Sequence, residues 1–395
     1  MSGRGVTFAR GFSAGAVAAG VRDPSSERPD LALLVADRPC VAAGVFTSNQ
    51  VIAAPCVVTR RHLAAGPLRG LVANSGSANA CTGERGERDA LAMAEAAART
   101  IGARAAEMAV ASTGVIGVPL PMERVLPAIA AVRPSSGGWE DFARAIMTTD
   151  TRPKLAEREV WLRGRPVRVG GVAKGAGMIH PDMATLLVFL TTDARLDAAT
   201  ADRALRGAVA GSFNAISVDG DTSTNDMALL LASGAAEVDV AGDALEPFAQ
   251  ALGEVCHDLA LQVVADGEGA TKVFAVRVRG AASAEDARKA ARTVTSSSLV
   301  KTAIHGADPN WGRILAAAGR SGARVDARRA SVLIGGLAVF ARGAPADPDP
   351  AAVRRAFESS SIEIDLDLGL GQGSATAWGC DLSAQYVRIN AEYTT

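Results

Sequence analysis

The sequence predicts an α+β protein built from layers of sheet and helix. Strand-like apolar runs and Ala-rich helical stretches follow one another irregularly, without the βαβ alternation of a doubly wound parallel sheet. The chain has 395 residues, 48% of them hydrophobic and 21% charged, which is ordinary for a globular protein with a sizeable core. Aromatic residues make up only 4% and glycines number 41, so the core packs largely through Ala, Val, Leu and Ile.

Taken in order, residues 31–36 and 70–73 read as buried strands, the second closed by the turn Asn74-Ser-Gly-Ser. Residues 87–101 read as a helix, with Leu91, Ala94, Ala98 and Ile101 at helical spacing and Gly102 where a C-terminal cap belongs. Residues 139–147 form a second helix, followed by the polar run Thr148-Thr-Asp-Thr151. Residues 159–169 alternate apolar and polar as one half-buried strand does. Gly170-Gly-Val-Ala-Lys-Gly-Ala-Gly177 reads as a glycine-dense turn, and 183–190 as an apolar strand. Helices follow at 197–210 and 245–265, then a strand at 272–278. A charged helix at 281–295 reads as a joint between two units, 1–280 and 281–395. Beyond it, strands are expected at 330–337, 361–368, 375–382 and 386–390.

Several function classes fall away. Forty-one Lys+Arg against 42 Asp+Glu leave a net charge of −1, no footprint for nucleic acid or an anionic membrane. The five cysteines (40, 56, 81, 256, 380) are odd in number, dispersed and free of CxxC pairs, so neither a zinc site nor a disulfide framework is indicated. No apolar run approaches the ~20 residues of a membrane span. Arg4 and Arg10 ahead of the run 12–21 loosely imitate a signal peptide, but that run is Gly/Ala-rich and lacks Leu. A cytoplasmic protein is expected. Gly369-Leu-Gly-Gln-Gly373 reads as a hairpin turn, because no helix begins after it to hold a phosphate. Of the four histidines, His62 reads as sitting in a polar loop and His257 as solvated beside Glu254 and Asp258. His180 and His305 fall in polar turns. No pair has metal-ligand spacing, and no His is placed for a Ser-His-Asp system.

The informative segment is Lys174-Gly-Ala-Gly-Met-Ile-His-Pro-Asp-Met-Ala-Thr185, running into Leu-Leu-Val-Phe-Leu. A glycine-rich approach ends in Pro181, and small Ala184 precedes Thr185 at the head of an apolar strand. That layout suits a self-processing nucleophile. The Thr185 hydroxyl attacks the Ala184 carbonyl, and the ester is hydrolysed. The freed chain then starts with a Thr whose own α-amine, with a pKa of about 7.7–8.0, serves as base. A hydroxyl in an apolar strand is equally an ordinary core threonine bonded to backbone, and spacing alone leaves both readings open.

This segment resembles the cleavage segment of the ornithine acetyltransferase (glutamate N-acetyltransferase) family, roughly KGxGMxxPxMAT ahead of an apolar strand. Further blocks carry the resemblance along the whole chain: Ala111-Ser-Thr-Gly-Val-Ile-Gly117, Ala145-Ile-Met-Thr-Thr-Asp-Thr151, Asp219-Gly-Asp-Thr-Ser-Thr-Asn-Asp226, Asp266-Gly-Glu-Gly-Ala-Thr-Lys272, His305-Gly-Ala-Asp-Pro-Asn-Trp-Gly-Arg313 and Asn390-Ala-Glu-Tyr-Thr-Thr395. The resemblance implies an αββα sandwich like that of N-terminal-nucleophile hydrolases, with a smaller α+β C-terminal domain. It implies cleavage between Ala184 and Thr185, an α2β2 heterotetramer of the products, and no metal or organic cofactor. The implied reaction is ping-pong acetyl transfer through Thr185 from N-acetylornithine to glutamate, in arginine biosynthesis or a specialised pathway using the same chemistry.

The implied roles make chemical sense. Thr113, by its hydroxyl, and Gly114, by its backbone N–H, match the oxyanion positions, where a preorganised donor contributes about 2.7–4 kcal/mol. Lys174 can pair with a substrate carboxylate and Glu268 with an ammonium. Thr148, Asn390 and Thr395 match further substrate contacts, so the C-terminal tail is expected to dock. His180 and Asp182 depart from the family pattern and leave substrate preference open. Two rivals remain. One is a self-cleaving aminopeptidase or amidase of related fold with water as acceptor. The other is a non-catalytic binding protein, against which stand the intact Thr185, Thr113 and Gly114. Use of acetyl-CoA as a second donor is not decided by the sequence.

Overall fold

The computed structural model describes residues 3–180 and 186–392. Its first strands are β1 (Phe12–Val17) and β2 (Leu31–Phe46), then β3 (Leu68–Asn74) and β4 (Met108–Ser112). Next come β5 (Lys154–Leu162), β6 (Arg165–Lys174), β7 (Leu187–Thr192), β8 (Ile216–Ser217) and β9 (Met227–Ala232). Strand β2 is shared between two sheets. Its first half pairs with β1 and β3, and residues 41–46 pair with β9. The register breaks between Val35 and Cys40, where exposed Asp37, Arg38 and Pro39 intervene. Pro39 has no N–H for a ladder, which favours a break there.

Strand alternation then sorts the side chains into layers. Leu34, Ala36, Leu71, Ala73, Ala109 and Ala111 of the first sheet meet Val172, Leu187, Phe189, Leu229 and Leu231 of the second in one buried core. Residues of opposite parity in the first sheet, Leu31, Leu33, Val72, Met108 and Val110, pack on α2 (Gly83–Ile101) and α3 (Met122–Ala131). In the second sheet Val188, Leu190, Ala228 and Leu230 pack on α5 (Ala198–Ala210) and α6 (Leu245–Ala265). The order is helix, sheet, sheet, helix: an αββα sandwich. Helix α1 (Ala54–Ala65) lies against β4 and α2. From α4 (Trp139–Ala145), Phe142 enters the central core edge-on to Phe189, at 5.8 Å between centroids.

A third sheet runs β13-β12-β11-β14-β10-β15-β8. Its strands are β10 (Val273–Ala281), β11 (Ser331–Ile334), β12 (Leu337–Ala341), β13 (Ala344–Pro345), β14 (Ser361–Asp367) and β15 (Gly373–Cys380), with the short β8. It therefore draws on chain before and after residue 281. One face is apolar and shares a core with α7 (Ala284–Thr295), α8 (Ser298–His305), α9 (Trp311–Gly319) and α10 (Pro350–Glu358). The chain's last described element is α11 (Ala384–Glu392).

Several expectations are corrected. The single strand at 159–169 is a hairpin of β5 and β6, turned at Arg163 and Gly164, both at positive φ. The glycine-dense stretch is strand as far as Lys174. A Cβ on Gly171 would stand 2.7 Å from Leu190 and 3.0 Å from Leu259, so the glycine lets α6 approach the sheet. The expected strand 386–390 is helix α11, whose first turn is tied by Ser383 Oγ accepting from the Gln385 N–H. The stretch 330–337 is β11, a Gly335-Gly336 turn and the start of β12. Helix α7 starts at Ala284, capped by Ser283, and is no joint: Ala287, Ala290, Ala291 and Val294 are buried against the third sheet. The glycine run 369–373 is not a hairpin turn, because β10 lies between β14 and β15. The run carries the chain across the end of β10, where Leu370 and Gly371 donate to Gly280 O. His62 is buried on α1, with Nδ1 2.7 Å from Met108 O. His257 is half-buried, edge-on to Trp378 at 4.9 Å. The signal-like run is β1, an internal partner of β2. Among the described residues no helix is long and apolar enough to cross a membrane.

Candidate active site

Six of the residues singled out above arrive in one cleft from distant parts of the chain. Thr113 and Gly114 follow β4, Thr148 follows α4, Lys174 ends β6, Glu268 follows α6, and Asn390 comes from α11; all line the cleft. Leu186, Met178, Asn225 and Asp226 complete much of its wall. The loops are placed by strand ends. Thr113 N–H donates to Asn74 O (3.0 Å) and Val115 N–H to Gly76 O (3.3 Å), so Gly114 is suspended between two anchored neighbours. Its φ is +131°, and a Cβ there would sit 2.4 Å from the Gly76 carbonyl carbon. Only glycine fits that approach. Asn225 holds the same loop from the other side, donating to Ala78 O (2.6 Å) and Ser112 O (2.9 Å).

Lys174 is buried and organises the cleft. Its Nζ donates to Thr148 Oγ1 at 2.9 Å and to Thr113 Oγ1 at 3.2 Å. A hydroxyl that accepts from an ammonium keeps its own hydrogen for another acceptor. Thr113 is thereby left as a donor. Burial pushes the Lys174 ammonium below its ordinary pKa, opposed by Asp150, whose Oδ2 lies 4.0 Å away.

Beneath Lys174 lies a buried charge network. Lys154, fully enclosed, donates to Asp150 Oδ1 and Asp266 Oδ2, each at 2.6 Å. Asp150 also accepts from Gly175 N–H (2.6 Å) and Thr148 N–H (3.0 Å). Burial opposes its charge, yet Lys174, Lys154 and the Gly175 N–H hold its pKa down to about 2. The network thus fixes both Thr148 and the backbone that follows Lys174. Across the cleft, buried Glu268 accepts from Asn390 Nδ2 at 2.8 Å, and its N–H donates to Ala176 O at 2.9 Å. A Cβ on Gly177 would lie 2.6 Å from that carboxylate, so the glycine makes room for Glu268. The cleft therefore offers a cation, carboxylates and hydroxyls in a largely desolvated space, where charge recognition is strengthened.

Ala184, Thr185, Asp182 and Thr395 lie outside the described residues. The chain before that segment is held at Met178 and Ile179, and Leu186 after it accepts from Met227 N–H (3.0 Å) and lines the cleft. His180 and His305 do not line it. His180 Nδ1 is 3.2 Å from Ser217 Oγ, and His305 Nδ1 is 2.7 Å from Asp381 Oδ2. Lys272 ties the third sheet to α8, donating to Ile304 O and Phe357 O. Sequence reasoning missed Lys154, Asp150 and Asp266 as a unit. The signal was three charges beside apolar elements, but sequence cannot distinguish a solvated charge from a paired one. Among the described residues no group of three or more His, Cys, Asp or Glu converges to hold a metal ion.

Over residues 13–395 the chain matches the ArgJ family. It is 51% identical to the arginine biosynthesis bifunctional protein ArgJ of Symbiobacterium thermophilum, covering 99% of this chain and 98% of the relative. It is 50% identical to the protein of the same name from Deinococcus radiodurans, again covering 99% and 98%. Among solved structures, the arginine biosynthesis bifunctional protein argJ of Bacillus halodurans aligns at 42% identity and a TM-score of 0.51. That alignment covers 52% of this chain and 98% of the solved chain.

Proposed function

The chain belongs to the ArgJ family, and from that premise we propose that its cleft transfers acetyl from N2-acetyl-L-ornithine to L-glutamate through an acetyl-Thr185 intermediate. The enzyme is an acyltransferase of arginine biosynthesis, an ornithine acetyltransferase (glutamate N-acetyltransferase). The observation that carries the reading of the site is Lys174. One buried ammonium fixes Thr113 and Thr148 together in a cleft that also holds Glu268, Asn390 and the start of the strand after Thr185.

Maturation comes first. The Thr185 Oγ attacks the Ala184 carbonyl carbon, the C–N bond breaks, and the nitrogen takes up the hydroxyl proton as the new α-amine. Water then hydrolyses the ester. In turnover, the α-amine accepts the Oγ proton as Oγ attacks the acetyl carbonyl. The developing oxyanion is stabilised by the Thr113 hydroxyl and the Gly114 N–H. Ornithine leaves as the amine, protonated from the same base, and glutamate attacks the acetyl ester in the reverse sense. Lys174, Thr148, Glu268, Asn390 and Thr395 bind the charged ends of the amino acids. A cut before Thr185 leaves 211 of the 395 residues in the C-terminal fragment. The solved Bacillus halodurans chain corresponds to 52% of this one, a size that supports such a division. The C-terminal part, 281–395, contributes Asn390 and Thr395 to the site, and the two fragments assemble as α2β2 in the cytoplasm.

Intact mass under denaturing conditions tests the maturation. Two fragments with Thr at the second N-terminus are expected from wild type and a single chain from Thr185→Ala; a wild-type chain that stays whole refutes it. Acetylornithine consumption that does not accelerate when glutamate is added would instead point to hydrolysis, as in an amidase. Acetyl-CoA is offered as donor in the same assay, because the relatives are named bifunctional.

A further inference from the structure

We propose that Asp219 is a positioning residue for self-cleavage, holding the turn that leads into residues 181–185 and seating helix α11 beside it. The proposal rests on the self-cleavage reading above. Asp219 Oδ2 accepts from the Met178 N–H at 2.6 Å, and Oδ1 accepts from the Ile179 N–H at 3.0 Å and the Asp221 N–H at 3.1 Å. Met178 has φ +52°, a left-handed conformation that a side-chain-bearing residue keeps only when its surroundings hold it. The same loop takes the next two peptide units. Val218 N–H donates to Ile179 O (2.7 Å), and Thr222 Oγ1 donates to His180 O (2.9 Å). Three consecutive residues before the scissile segment are therefore tied to 218–222, with Asp219 at the strained one.

The carboxylate also reaches the other end of the chain. The Tyr386 hydroxyl of α11 lies beside the Asp219 carboxylate, and the same helix delivers Asn390 to Glu268. Gly269 allows this seating, since a Cβ there would lie 2.5 Å from the Tyr386 nitrogen. One group thus couples the geometry of the cleavage turn to the helix that completes the cleft. A peptide carbonyl must be presented to a neighbouring hydroxyl at ~3–3.5 Å for attack, so a turn free to relax loses rate. After cleavage, Met178 and Asp219 lie on different fragments, and the contact helps to keep them together.

The test follows conversion of newly synthesised full-length chain into two fragments, by denaturing mass spectrometry, across pH. The titratable groups around Asp219 are Asp221 on its own loop, His180 on the cleavage segment, Glu268 after α6, Cys380 ending β15 and Tyr386 on α11. Among the described hydrogen bonds, Asp219 is the carboxylate that accepts from both Met178 and Ile179. Wild-type conversion is expected to slow on the acid side as Asp219 takes up a proton. Burial raises its pKa, so this limb lies above the ordinary carboxylate range. Asp219→Asn, which keeps one acceptor oxygen, is expected to convert about tenfold more slowly at neutral pH, the effect of one lost charge-assisted hydrogen bond, and to lose the acid limb. Should that variant fail to fold, Asp219→Glu carries the test: the limb persists while the neutral rate falls. A variant with wild-type rate and wild-type pH profile overturns the proposal. A wild-type chain that never converts removes the self-cleavage reading and this proposal with it, which is a distinct result.

Discussion

Asp150→Asn attacks the charge network on which the cleft stands. Asp150 and Lys154 both have fully enclosed side chains, with Nζ 2.6 Å from Oδ1. Asparagine keeps one acceptor for three donors, leaves Lys154 with Asp266 as its carboxylate partner, and deprives Lys174 of its nearest anion. Removing one partner of a buried ion pair costs about 3–5 kcal/mol. Linkage gives a second route. A carboxylate held at about 2 against an ordinary value of ~3.9 is worth on the order of 2–3 kcal/mol. The two routes agree on about 3 kcal/mol, roughly a hundredfold in the folded-to-unfolded ratio. The sign follows from the depressed pKa. The stabilisation is present in full above pH ~4, the unfolded value, and disappears as pH falls through about 2. Urea unfolding at pH 7, 5 and 3, followed by circular dichroism, checks both parts, provided the slope with denaturant is unchanged between proteins. The midpoint gap should be large at pH 7 and 5 and clearly smaller at pH 3. Coincident midpoints at pH 7, or a gap that does not shrink in acid, would refute the reasoning.

Gly114→Ala should lower acetyl transfer by about 10²–10³-fold, the cost of one oxyanion donor, because its Cβ would meet the Gly76 backbone at 2.4 Å; near-wild-type kcat in a steady-state assay would contradict that. Lys174→Met should depress kcat similarly, and wild-type transfer should fall on the alkaline side below the ordinary lysine pKa of ~10.4, since burial favours the neutral amine. A pH profile flat to pH 10 would speak against it. Thiol titration of the native protein should modify Cys81 alone. Cys40, Cys56, Cys256 and Cys380 are buried, and burial pushes the thiols of Cys40 and Cys56 up to about 12. More than one equivalent released before unfolding would show that the core opens.

Much of the site was legible because the chemistry needs contiguous residues. The cleavage segment, the Ser-Thr-Gly after β4, the Thr148 run and the Glu268 run are short and local, and Thr113, Gly114, Thr148, Lys174, Glu268 and Asn390, the described residues assigned from them and from the tail, all border one cleft. Helices with strong period and caps were also readable. Gly102 ends α2 at φ +66°, and the Asp197 side chain caps α5 by accepting from the Thr200 N–H. Less legible were elements whose local signal competes with another. Tyr386-Val-Arg-Ile-Asn390 alternates like a strand, yet Ser383 and Gly269 dock it as a helix. Residues 159–169 alternate on both sides of a turn: the core-facing residues are even-numbered up to Leu162 and odd-numbered from Val167, and that change of parity across Arg163 and Gly164 is a weak local signal.

The sequence by itself determined the class of fold, the order of most elements and the short polar motifs, because periodicity, caps and local motifs act over a few residues. Only the tertiary structure decided that β2 serves two sheets, that β8 and β10 join the third, and that Lys174, Lys154, Asp150 and Asp266 form one buried set. The physical reason is that a lysine and an aspartate carry the same local propensities on the surface as in the core. What distinguishes a solvated charge from a buried and paired one is the free energy of its surroundings, and those surroundings are assembled from residues more than a hundred positions apart.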